Sequence, residues 1–131
     1  MLSGLFSGAR LRLRLASDLF DNINLVKKTI TITGGASDGF IFNVTGAGPH
    51  VLNNVQMVLN GVVSSQILWN VTALGTTVTA FKDPLLLAGT WLVPDGSFLM
   101  DHGRLDGSVI AGCTAKFHSG AFVNCPEPPS D

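Results

Sequence analysis

The chain has 131 residues and a formal net charge of −1; 46% of its residues are hydrophobic and only 13% charged, where an average soluble chain carries about 25% charged residues. That length fits one domain able to bury a core without a metal. The charge leaves no basic field to attract a phosphate backbone, which argues against nucleic-acid binding, and no apolar run reaches the roughly 18 residues that span a membrane.

The opening segment Met1–Gly8 lacks a basic stretch ahead of a long apolar one, so it does not read as a signal peptide. Export would depend on a signal outside this sequence or of another kind. Leu11, Leu13 and Leu15 then alternate with Arg10, Arg12 and Arg14, a strand pattern that gathers the arginines on one solvated face. Ser17-Asp18-Leu19-Phe20-Asp21-Asn22 reads as a turn or a short helical turn. Residues 1–28 are therefore a poorly determined segment, before a β domain over 29–124 and a Pro-rich tail over 125–131 that cannot continue a strand ladder.

From Thr29 onward the chain reads as strands. Thr29-Ile30-Thr31-Ile32-Thr33 alternates strictly, with isoleucines on one face and threonines on the other. Phe40–Val44, Val55–Leu59 and Ile67–Val71 follow, and later strands centre on Val78, Trp91, Phe98, Val109 and Phe117. Between them stand turn formers such as Gly34-Gly35, Asn60-Gly61, Pro94-Asp95-Gly96 and Asp106-Gly107.

Two pairs of blocks repeat. Phe40-Ile41-Phe42-Asn43-Val44-Thr45 matches Ile67-Leu68-Trp69-Asn70-Val71-Thr72 at an offset of 27 residues (67 − 40 = 27). Gly89-Thr90-Trp91-Leu92-Val93-Pro94 matches Gly107-Ser108-Val109-Ile110-Ala111-Gly112 at 18 (107 − 89 = 18). A β-sandwich would also give short strands and regular turns. Unequal repeats favour instead the stacked coils of a β-solenoid, an all-β parallel β-helix in which each coil buries its apolar face against the next. Phe42, Trp69, Trp91 and Val109 should then meet in or near the core.

These blocks, from Gly39–Val44 through Gln66–Val71 and Gly89–Gly96 to Leu105–Gly112, follow the order seen in choice-of-anchor A domains, and the chain resembles that family over roughly residues 29–123. Two features differ: the family's domains extend further on the N-terminal side, and they often carry alanine before a Pro-Asn turn where this chain has Val93-Pro94-Asp95. The resemblance implies a right-handed parallel β-helix outside the cell or on its surface. It implies an adhesin distantly similar to ice-binding β-helix proteins, and it brings no catalytic residues.

The chemistry-bearing residues support no enzyme. His50, His102 and His118 lack the nucleophile and carboxylate of a triad, since the adjacent pairs Asp101-His102 and His118-Ser119 should point to opposite faces. Asp95, Asp101 and Asp106 each lie near a glycine, as turn residues do, and lack the spacing of a calcium loop. No loop has the form of a dinucleotide or phosphate site, so neither metal nor cofactor is expected. Asn43 and Asn70 head glycosylation sequons but sit inside the repeat, where each should close a coil or bond a turn. Cys113 and Cys125 would close one disulfide near the C-terminus, although two unpaired thiols would look the same in sequence.

Two threonine sets remain as a candidate binding face: Thr29, Thr31 and Thr33 on one strand, and Thr77 and Thr79 on another. An ice-binding array would repeat that spacing on consecutive coils. The expected function is a non-catalytic adhesion module for an extracellular partner, whether matrix, host surface, neighbouring cell or glycan. Ice binding is the alternative, and a polysaccharide-active β-helix enzyme the third reading.

Overall fold

A computed structural model of the chain describes residues 10–12, 16–118 and 120–124. Alternation decides the local structure. In β4 (Thr29–Thr33) the two isoleucines are fully buried, while Thr29 is exposed and Thr31 and Thr33 are partly exposed. The same rule governs β5 (Phe40–Val44), β8 (Ile67–Val71), β9 (Thr77–Phe81) and β11 (Ser97–Asp101), with every second side chain buried. These inward residues, with Leu52 of β6 (His50–Asn53) and Met57 of β7 (Gln56–Asn60), form one apolar cluster.

The described strand pairs are all parallel. The chain therefore returns to the same side before it pairs with itself, and it does so in layers. β4, β5 and β6 make one layer. β7, β8 and β9 make the next, with Thr29 opposite Gln56 and Phe40 opposite Ile67. The 27-residue sequence repeat is thus the pairing register of β5 on β8.

The layers then shorten. β10 (Leu86–Val93) is eight residues long. Its first residue, Leu86, continues β7, while Thr90–Leu92 continue β8, so two strands of the earlier layers become one. β12 (Arg104–Ala111) lies on β10 in register over all eight residues, which is the 18-residue repeat. Gly89 and Gly107 face each other at the bend, at φ +100° and +154°. A Cβ on Gly107 would run into the Gly89 carbonyl, so the bend needs glycine in both layers.

With β1 (Arg10–Arg12), β2 (Ala16–Phe20), β3 (Asn24–Val26), β13 (Thr114–Phe117) and β14 (Phe122–Asn124), the path of the larger, nine-stranded sheet runs β1-β4-β7-β10-β8-β5-β2, extended by β12 and β14; the five-stranded sheet runs β13-β11-β9-β6-β3. Among the described residues three strands precede Thr29, namely β1, β2 and β3. They pair on β4, β5 and β6. The ladder therefore reaches into the segment that the sequence left undetermined. Ser17–Phe20 belong to a strand rather than to a turn, because register with Ile41–Val44 overrides their polar character.

The expected core residues meet as expected. Phe42 pairs with Trp69, Trp69 with Trp91, and Trp91 with Val109. The rings of Phe42 and Trp69 stack at 4.3 Å between centroids, and those of Trp69 and Trp91 at 4.7 Å with an interplanar angle of 7°. Phe98 continues the ladder at 5.7 Å, and Phe117 of β13 (Thr114–Phe117) lies 6.1 Å beyond it. Val109 is partly buried against this core.

Candidate binding surface

Parallel register turns each outward residue into a member of a column, with neighbours about 4.8 Å above and below. The sheets offer three such sides. On the first, Thr31 of β4 stands between Arg10 of β1 and Val58 of β7, and Thr33 between Arg12 and Asn60. On the third, Thr79 stands between Val51 and Leu99, and Thr77 beside Ser97. The two threonine sets thus lie in different sheets, and the column through each central threonine passes to an aliphatic or charged residue in the next layer.

The second side, built from β5, β8 and the latter halves of β10 and β12, differs. One column reads Ile41, Leu68, Thr90, Ser108 and its neighbour reads Asn43, Asn70, Leu92, Ile110. None of these eight residues is charged. Ile41 is 40% exposed and Ile110 58%. The Asn70 side-chain Nδ2 donates to Asn43 Oδ1 at 2.9 Å. The sequon asparagines therefore bond each other from layer to layer instead of closing a turn, because a parallel register places like beside like. The outcome is a regular, uncharged surface of aliphatic, hydroxyl and amide groups.

The third side carries a groove. Thr79, Phe81, Leu99, Met100, Asp101 and His118 line an open groove of about 340 Å³. Asp101 and His102 do not point apart as a strand geometry predicts. His102 leaves the strand in a left-handed conformation at φ +68°, and its Nδ1 comes within 2.9 Å of Asp101 Oδ1. His118 follows β13 and is exposed. Among the described residues, no three side chains of the metal-binding types converge.

His50 is different again, being fully buried where β6 begins. Cys113 is exposed in the turn after β12, where its N–H donates to the Gly96 carbonyl at 2.9 Å. Cys125 lies outside the described residues. Among the described residues no helix is long and apolar enough to cross a membrane.

The second-side columns were written in the repeated blocks, since aligning each pair of blocks gives these outward neighbours directly. What the blocks lacked was the link between the 27- and 18-residue repeats, the pairing of Trp69 with Trp91, which crosses an offset of 22 residues (91 − 69 = 22).

No curated protein and no solved structure matches the chain at a significant level. A family model does match, over residues 9–122, which takes in β1 through β13 and almost the whole sequence. With its parallel layers and its broad strand-built sides, the chain belongs to the family described as "Putative Ice-binding-like adhesive domain".

Proposed function

We propose that the chain is a right-handed parallel β-helix that serves outside the cell as a non-catalytic adhesion module, holding its partner against the uncharged second side. The handedness follows from the strong preference for right-handed crossovers between parallel strands of one sheet. The resemblance to choice-of-anchor A domains and the adhesive family description both favour a surface location. One observation carries the choice of side: two in-register columns, four layers deep, with exposed Ile41 and Ile110 and no charge. Exposed apolar side chains on an uncharged surface favour contact with a partner, and a layered β surface suits an extended one.

The test is a binding screen against neutral polysaccharides, matrix proteins and ice, the last read as thermal hysteresis. Ile41→Lys with Ile110→Lys should weaken whatever binding is found by about tenfold or more, roughly 1.4 kcal/mol, without lowering the melting temperature. Val58→Lys on the first side is the control and should change nothing. Binding that survives the double substitution would move the site elsewhere. Hysteresis as the sole activity would identify ice as the partner. Turnover of a polysaccharide, lost in Asp101→Asn, would replace adhesion by catalysis in the third-side groove.

A further inference from the structure

The corner between β2 and β3 is held to the layer above by a buried histidine. His50 has no exposed surface. Its Nδ1 lies 3.1 Å from the Ile23 backbone nitrogen, and its Nε2 lies 3.1 Å from the Gly46 carbonyl oxygen. A backbone N–H can only donate, so Nδ1 must accept and carry no proton. Nε2 then holds the proton and donates to Gly46. Both ring nitrogens are committed, and only the neutral ring can make both bonds.

The surroundings leave the ring little room to adapt. Gly46 N–H donates to the Asp21 carbonyl at 2.9 Å, Gly48 N–H to Asn22 Oδ1 at 3.1 Å, and Val51 N–H to the Ile23 carbonyl at 2.9 Å. A Cβ on Gly46 would run into the Asn22 side chain, and one on Gly48 would come within 3.2 Å of the His50 ring. Val78 of β9 is the register partner of His50 from above. Ile23, Gly46, Gly48 and Val78 carry no titratable side chain. Asp21, in the first layer, is the charged group that acts on the ring.

We propose that His50 is a proton-released latch, which fastens the β2–β3 corner of the first layer to the second while neutral and frees that corner when the ring is protonated. A proton on Nδ1 would set one donor against another at Ile23, so the charged ring cannot occupy this position with the corner closed. Burial lowers the pKa of His50 below 6.5 and outweighs the hydrogen bond to Gly46 and the charge of Asp21, which both act to raise it. The freed or unfolded segment then binds the proton more readily than the closed one. The latch is fully engaged above about pH 6.5 and weakens as pH falls below it. The loss falls on the first layer, because each layer of such a stack bonds only to its neighbours.

Hydrogen exchange followed by mass spectrometry, corrected for the intrinsic pH dependence, tests this on the full chain at pH 7.5 and 5.0. Protection over residues 16–26 should fall at pH 5.0 by up to about thirtyfold, the limit set by 1.5 pH units, while residues 86–111 change little. His50→Gln should abolish the difference between the two pH values, whatever its effect on overall stability. Nitrogen NMR of the wild type gives an answer even if that variant fails to fold. The latch predicts a neutral ring with an unprotonated Nδ1 at pH 7.5 and titration below 6.5, in step with corner opening. Equal loss of protection throughout the stack, acid sensitivity that persists in His50→Gln, or a ring that titrates with the corner still protected would each overturn the proposal.

Discussion

At the scale of single residues, the corner that leads from the five-stranded sheet back to the larger one is the most revealing. Val26, Asn53, Phe81 and Asp101 form one column, and the next residue in each layer takes a left-handed conformation: Lys27 at φ +55°, Asn54 at +56°, Lys82 at +73° and His102 at +68°. Parallel layering forces every pass of the chain through the same corner geometry. Asparagine tolerates it, but lysine pays a steric penalty from its Cβ. Lys82 is exposed. Lys82→Gly should therefore stabilise the protein by about 1 kcal/mol, read as a higher urea midpoint at unchanged m value. A lower midpoint would mean that the lysine side chain contributes more than its backbone costs.

At the scale of elements, the aromatic ladder ties β5, β8, β10 and β11 together, and its two tryptophans are not equivalent. Trp69 Nε1 donates to the Ala88 carbonyl at 3.1 Å, whereas Trp91 Nε1 is buried with no hydrogen-bond partner. Both rings are fully buried, so replacing either by phenylalanine loses similar packing. Trp69→Phe also removes a satisfied bond and orphans a carbonyl lone pair; Trp91→Phe removes an unsatisfied donor, itself a burden of about 1–3 kcal/mol. Trp91→Phe should thus be the milder change by about 1–2 kcal/mol in chemical denaturation. Equal losses would show that the Trp91 donor is satisfied in solution, as by a buried water. The same contrast explains the bend in β10. Its consecutive buried residues Leu87, Ala88 and Gly89 break the alternation of a flat strand, and the left-handed glycine lets one strand serve two sides of the stack.

At the scale of the whole molecule, the layers are chained by nearest-neighbour pairing. The layer of β7, β8 and β9 has partners on both sides, through β4, β5 and β6 below and β10 and β11 above. Stability should therefore be graded along the stack and not uniform. At neutral pH, amides of β8 and β9 should exchange most slowly, with those of β2, β3 and β13 exchanging faster by at least about tenfold. Uniform protection would instead mark a single cooperative unit. Such a gradient suits the proposed adhesion module, since the second side runs its columns through the doubly paired layer of β8 while the layer of β2 and β3 responds to acid.

The sequence by itself determined the class of fold and much of its register. Alternation over Thr29–Thr33 and Phe40–Val44, and the repeats at 27 and 18 residues, are local patterns that a parallel ladder converts directly into side-chain columns. Short elements such as β2, β3 and β6 stayed hidden, because three to five residues with polar members carry no period strong enough to read; only pairing with a neighbouring layer makes them strands. The threonine sets looked like one resource in the sequence and belong to two sheets in space. His50 looked like any other histidine, and nothing adjacent in sequence announces that its Nδ1 meets an amide 27 residues earlier. Sequence fixes what each strand can bury, but which layers and corners meet is set by chain closure over a full circuit, and that is decided only by the tertiary structure.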